Sequence, residues 1–476
     1  MIRFSEARDW ARETFGGIAL GDVRRTERLV RIATRALQMP AGQVSAVFEQ
    51  EHERQAAYDF LESERVSAAC ILGGIAAVTA RGSAGSRYVF VPVDGSSLTL
   101  VDRVGDKGFG SIGRRELPTR GLKVISALAV DPRGVPLGVA TLEWWARGEK
   151  RRTRTRRWRG DETEMRYWRD AVDHIEAAFE RDAPDVRRWY VLDREGDESS
   201  ILTKLSHAGA YFTVRSKHDR LVQRSDGRRA KLSAIARRAK YLGSYCVDVP
   251  ASPKRRKRRA VLDVRAERVT LLLPNYDHED YPTALTVTVL LARERNAPRG
   301  EKRLAWRLLT HQHITRRDDA LRIIRSYSTR WRIEEFHRTW KSGACGVEDT
   351  LLRRRAHVIR WATVLAAVAA RTERLKYLAR NDPDAPATIE LSPLEIEALI
   401  AVKRRHKNSV EVIPDTTPTI RQAVHWIAQL GSWDRYRKGE PGSIVIARGL
   451  ARFEAWAAGW IAGRGYGKTR MKRDQR

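Results

Sequence analysis

Apolar residues recur at helical spacing from the start of the chain. Trp10, Phe15, Leu20, Leu29, Ile32 and Leu37 follow the helical period, and Asp22 stands where an N-cap belongs, before Arg24-Arg25-Thr26-Glu27-Arg28. Residues 1–70 therefore predict a small helical domain whose basic helix suits DNA. An ordinary helical subdomain with exposed arginines gives the same pattern.

Near residue 88 the period changes to two. Tyr88-Val89-Phe90-Val91-Pro92-Val93 runs into Asp94-Gly95-Ser96-Ser97, and two further apolar runs, 123–130 and 135–142, flank the turn tetrapeptide Asp131-Pro132-Arg133-Gly134. Three consecutive antiparallel strands are expected, with Asp94 on or at the end of the first. Then come a helix (Trp168, Ala171, Ile175, Ala178, Phe179), a strand at 189–192 ending at Asp193, a helix from Ser199 to Ala208, and a strand at 211–214. That order is the order of a ribonuclease-H-like fold, whose mixed sheet gathers strand-end side chains into one site.

Between about 217 and 310 a β-rich insertion is expected, with strands at 245–249, 259–265, 269–273, 284–292 and 304–310. A helix follows from near Asp318, and Ser342-Gly343-Ala344-Cys345-Gly346 reads as its stop. The remainder is helical. Val358, Trp361, Ala362, Leu365, Val368 and Ala369 make one apolar face, and Ile446, Leu450, Phe453, Trp456, Ala457 and Trp460 another. The two tryptophans of the last helix suit a core or a dimer interface. The tail from Gly463 is expected to fray. The predicted fold class is α/β: a ribonuclease-H-like catalytic domain (71–345) with its insertion, between helical N-terminal (1–70) and C-terminal (346–476) domains.

Charge sharpens this picture. The chain has 476 residues, a formal net charge of +31 and a pI near 10.6. No plausible fold hides that many cations, so a polyanion partner is expected. A membrane surface is the rival, but no apolar run reaches the roughly 18 residues a span needs. Met1 leads directly into an amphipathic pattern, so no signal peptide is expected. The expectation is a soluble, cytoplasmic protein acting on nucleic acid. Basic segments 147–159 and 254–259 are expected to be loops open to phosphate. Cys70, Cys246 and Cys345 lie far apart without a CxxC pair and read as reduced, structural thiols.

The candidate chemistry centres on residues 327–341. On one continuous helix, Tyr327, Arg330, Glu334 and Lys341 fall at about 0°, 300°, 340° and 320°, a stripe roughly 60° wide. Glu335 falls about 80° to the other side. A cationic face with one acid at its centre suits a phosphodiester beside a metal ion. Two-metal phosphodiester chemistry needs several carboxylates, and Asp94 and Asp193 each follow an apolar strand. Alone, each is ordinary: strand-end aspartates form turns, charged helix faces are solvated, and Glu195 and Glu335 compete for the roles. Their combination with the charge points to cleavage of nucleic acid.

The chain resembles the DDE transposases of the insertion-sequence-four family, from about residue 8 to 465. The resemblance rests on residues 19–26, Ala57-Tyr58-Asp59-Phe60, Asp94-Gly95-Ser96-Ser97-Leu98, Glu143-Trp144-Trp145, Asp193-Arg194-Glu195, Val214-Arg215-Ser216-Lys217-His218 and residues 327–337. Tyr327, Arg330, Glu334 and Lys341 match the family's Y-R-E-K signature, the most specific block. The resemblance implies an Asp94, Asp193 and Glu334 triad holding two Mg²⁺ or Mn²⁺ ions. It implies cut-and-paste transposition through a hairpin, by a homodimer that acts in trans on two transposon ends and joins them to target DNA. It implies DNA contacts from Tyr327, Arg330, Arg338, Lys341, Arg215 and Lys217, and end recognition through Arg24, Arg25 and Arg28. Trp306, at the spacing of a base-stacking tryptophan, is implied as the platform for a flipped base. Leu304, Trp306 and Leu308 alternate on one strand, so a core tryptophan is the alternative. Asp59 departs from the family's basic residue there. Rival readings are a DNA-binding relative without catalysis and a nuclease that cuts without joining.

Overall fold

The computed structural model describes residues 6–113, 119–148, 163–249, 251, 256–273, 283–405, 413–414, 416–434, 436 and 439–473, without the side chains of 461–473. Five helices open the chain: α1 (Glu6–Phe15), α2 (Val23–Gln38), α3 (Val44–Val47), α4 (Glu51–Glu62) and α5 (Ala68–Arg81). Asp22 caps α2, accepting from the Arg24 amide at 2.8 Å. The α/β part follows as β1 (Tyr88–Thr99), β2 (Gly110–Ser111), β3 (Arg120–Val130), β4 (Pro136–Trp145), α6 (Met165–Asp182), β5 (Arg187–Leu192), α7 (Ser199–His207) and β6 (Tyr211–Arg215). Asp131 and Gly134 close the β3–β4 turn, and Gly134 has φ +87, which a glycine adopts without strain.

β4, β3, β1, β5 and β6 lie side by side; β1–β5 and β5–β6 are parallel and the other pairs antiparallel. This mixed sheet, with helices at both ends of the chain, is compatible with a ribonuclease-H-like core. The insertion comprises β7 (Leu221–Gln223), β8 (Arg229–Lys231), α8 (Leu232–Arg238), β9 (Lys240–Val249), β10 (Arg258–Leu272), β11 (Ala284–Glu294) and β12 (Ala305–Thr310). It extends the same sheet, because β12 pairs with β6 and β11 and β10 continue outward. The two strands expected at 259–265 and 269–273 are one, β10. The polar Ala266-Glu267-Arg268 stretch that suggested a break is paired throughout with β11.

The sheet has two covered faces. Phe90, Trp189, Val191 and Leu308 join a core with α1, α2, α4, α5 and the later helices α9 (Arg317–Ser328), α10 (Trp331–Lys341) and α11 (Arg355–Asn381). Val89, Val91, Tyr190, Leu192, Phe212 and Val214 face α6, α7 and α8. A third core joins the end of α11 to α12 (Pro393–Arg405), α13 (Ile420–Leu430) and α14 (Ser443–Arg473). The segment from Gly463, where fraying was expected, continues α14 in the backbone to Arg473.

Residues 327–341 depart from the expected continuous helix. α9 ends at Ser328 and α10 starts at Trp331; across the junction the Arg330 amide donates to the Tyr327 carbonyl and the Arg332 amide to the Thr329 carbonyl, each three residues back. The apolar period runs through the junction, so periodicity alone does not reveal it. Much of the basic segment 147–159 lies outside the described residues, as do Lys254 and Arg255. Two arginines of these segments are committed to carboxylates: Arg147 pairs with Glu164, and Arg258 lies 2.9 Å from Glu294 and 2.5 Å from Glu301.

Candidate active site and nucleic-acid interface

Strand parity positions the first two carboxylates. Phe90 and Trp189 point to the face shared with α10, so Asp94 and Asp193, an even number of residues further on, point there too. The parallel β1–β5 register closes at Val93 opposite Leu192, which sets Asp94, inside β1, beside Asp193, just past the end of β5. Asp94 accepts from the Gly95 amide at 2.9 Å, and Asp193 from the Glu195 amide at 2.7 Å.

The third carboxylate comes from α10. Ile333, Phe336 and Trp340 sink into the core and lay the helix over β1 and β3. This leaves Glu334, in the first helical turn, part-exposed beside Asp94. Arg330, buried at the α9–α10 junction, pairs with Glu334 and lies 3.6 Å from Asp94. Burial opposes its charge, but Tyr327, Glu334 and Asp94 hold its pKa above the ordinary value. Asp94 is pushed up to about 7, by burial first and then by Asp193, Glu195 and Glu334, with Arg330 opposing. Glu195, treated as a competitor to Asp193 in the sequence, is thus a fourth acid of the cluster.

Among the described residues no three His, Cys, Asp or Glu side chains stand in a ready ligating arrangement. The donor set nevertheless fits a divalent cation in chemistry: hard carboxylate oxygens, crowded until one resists ionisation. Glu335 has a different role. It faces α11, where its carboxylate is 3.5 Å from buried Lys376 and 4.0 Å from Arg332. Cys345 is a buried free thiol whose pKa burial pushes up; Cys70 and Cys246 are free and exposed.

The expected DNA contacts divide by exposure. Tyr327 is buried. Arg338 faces solvent, and Lys341 is part-exposed, 3.6 Å from Glu348. Arg215 and Lys217 line a pocket at the end of β6. Trp306 is half-buried against the α10-side core beside Leu304. On α2, Arg24 is exposed and Arg28 part-exposed, whereas Arg25 turns back to donate to the Leu20 carbonyl at 2.8 Å. The stripe continues through exposed Arg31, which the sequence reading passed over although it lies at helical spacing from Arg24 and Arg28.

Residues 7–66 match the transposase DNA-binding family. The matched segment runs from α1 to the end of α4 and includes the arginine stripe, and it stops before the first strand. The likeness supports a transposase and a DNA partner for this chain. No helix among the described residues is long and apolar enough to cross a membrane.

Proposed function

We propose that this chain is a DDE transposase of the insertion-sequence-four type. It binds transposon-end repeats, cleaves the DNA there and joins the freed ends to target DNA. The observation that carries the proposal is the meeting of Asp94, Asp193 and Glu334 where β5 ends beside β1, in a chain whose N-terminal helices match a transposase DNA-binding family.

In this reading Asp94, Asp193 and Glu334 hold two Mg²⁺ or Mn²⁺ ions. Bound there, the ions would activate water or a 3′-hydroxyl and steady the leaving oxygen. Arg330 balances Asp94 and Glu334 before DNA arrives. Arg338, Lys341, Arg215 and Lys217 take phosphates around the scissile bond, with Tyr327 packed behind Arg330. Arg24 and Arg28 contact the end repeat, with Arg25 bracing the turn before α2. A hairpin intermediate with its flipped base on Trp306, and a homodimer acting in trans, complete the proposal. The exposed Trp456 on α14 supports a dimer surface.

The test uses a linear duplex carrying the inverted repeats that flank the gene, incubated with the protein, Mg²⁺ and a supercoiled target. Products covalently joined to the target are expected. Cut ends with no joined product would leave a nuclease, and binding without cutting an inactive relative.

A further inference from the structure

A pocket of about 420 Å³ opens past the ends of β5 and β6, on the sheet face that carries α8 and so across the sheet from the face of Asp94 and Asp193. Its charged lining is entirely cationic: Arg194, Arg215, Lys217, Arg237, Arg293 and Arg307. Arg215 and Lys217 already belong to the proposed scissile-phosphate contacts. The other four come from separate elements, namely the turn after β5, α8, β11 and β12, so the fold rather than a basic run in the sequence brings them together.

Arg307 is fixed. It donates to Ser216 Oγ and the His218 carbonyl, both at 3.2 Å, and lies 3.5 Å from Asp219. Burial lowers its pKa, against the pull of Asp219 and Asp197. Among the described residues, Arg194, Arg237 and Arg293 have no carboxylate partner. Six cationic side chains around one opening repel each other, and an anion relieves that repulsion. Its apolar lining is Leu291, Ala236 and Ala305, with no aromatic ring to stack a base. The site therefore suits phosphate and sugar rather than a nucleobase.

We propose that this pocket seats backbone phosphates of the DNA flanking the scissile bond, held by Arg194, Arg237, Arg293 and Arg307. This rests on the functional reading above and extends it. Arg194 directly follows Asp193, and β5, β6, β12 and β11 are consecutive neighbours. Three strand spacings carry the track roughly 14 Å from the carboxylates, about four base steps at 3.4 Å each. Trp306 projects from the opposite face of β12 to Arg307, so the pocket serves a different stretch of DNA from any base stacked on Trp306.

The test compares wild type with an Arg237→Ala/Arg293→Ala double variant. Binding to a labelled random-sequence duplex is titrated with NaCl in EDTA, which silences cleavage. An Arg228→Ala/Arg229→Ala variant, altered at exposed positions at the far edge of the sheet, is the charge-matched control. Each lost phosphate contact lowers the slope of log K against log salt by about 0.9, so the double variant should lose about 1.8 and the control nothing. An unchanged slope in the double variant, or an equal fall in the control, would overturn the pocket. So would inorganic phosphate raising the melting temperature of wild type but not of the double variant while their DNA slopes stay equal, which would mark a free-phosphate site. Wild type that bound no duplex would overturn the functional reading, and the pocket with it.

Discussion

Asp94 concentrates the electrostatic tension of the site. Its pKa is pushed up to about 7 in the folded chain from the ordinary 3.8 of a free carboxyl, chiefly through burial and then through its acidic neighbours. A carboxyl raised on folding holds its proton more tightly in the native state. Its stabilising contribution is complete below about pH 4 and is lost as pH rises through 7. Asp94→Asn should therefore stabilise the protein at pH 8, on the order of 1–3 kcal/mol, and leave stability at pH 4 nearly unchanged. Denaturant titrations at the two pH values check this, and equal effects at both would remove the tension. Mg²⁺ at pH 8 should stabilise wild type more than Asp94→Asn. Much of this site is legible in the sequence, because Asp94 and Asp193 follow alternating apolar strands whose parity fixes their side. The inclusion of Glu195 is not legible, since it lies off the strand, in a turn whose path is set by the Asp193 carboxylate.

Among the elements, the α9–α10 junction and its anchor to α11 decide where Glu334 points. Glu373 on α11 is fully buried. It accepts from Thr339 of α10 and Ser443 of α14 and pairs with buried Lys376, which also lies 3.5 Å from Glu335. Glu373→Ala leaves buried Lys376 with Glu335 as its remaining carboxylate and should cost about 3 kcal/mol, the low end for a broken buried pair. Equilibrium unfolding measures it, and a loss below about 1 kcal/mol would show that the network is not the anchor. The sequence shows α10 but not the break before it, because hydrogen bonding at Thr329 and Arg330 changes without any change in apolar period. It also divides β10, because a long strand paired on both sides tolerates the polar residues that end a shorter one. Trp306→Ala on β12 separates two roles. A stacking platform predicts that hairpin formation slows more than first-strand nicking, whereas a core tryptophan predicts a lower melting temperature and an equal loss at both steps.

Across the whole molecule, the N-terminal helices and the sheet share one core, which runs from Ala7 through α11. Gly42 sits so close to Gly346 that a Cβ would lie 1.9 Å from its carbonyl oxygen, and Trp361 donates to the Gly42 carbonyl at 2.8 Å. Arg360 likewise donates to the Leu61 and Val66 carbonyls. Removing residues 1–70 would open this core, so end recognition is better probed by charge. Arg24→Glu with Arg28→Glu and Arg31→Glu should abolish preference for the end repeat over random DNA. It should keep salt-sensitive general binding and the melting temperature, because these side chains point outward. Undiminished preference would place recognition elsewhere. This shared core is not legible in the sequence, where apolar periodicity identifies each helix but not its partner.

The central claim is that Asp94, Asp193 and Glu334 cut DNA together. Its most direct test is cleavage of the end-repeat duplex in Mg²⁺ by Asp94→Ala, Asp193→Ala, Glu334→Ala and Glu335→Ala, with binding measured in parallel. The account predicts no cleavage by the first three, with binding nearly intact, and residual cleavage by Glu335→Ala in the fraction that remains folded. Robust cleavage by Glu334→Ala, with loss in a folded Glu335→Ala protein, would contradict it.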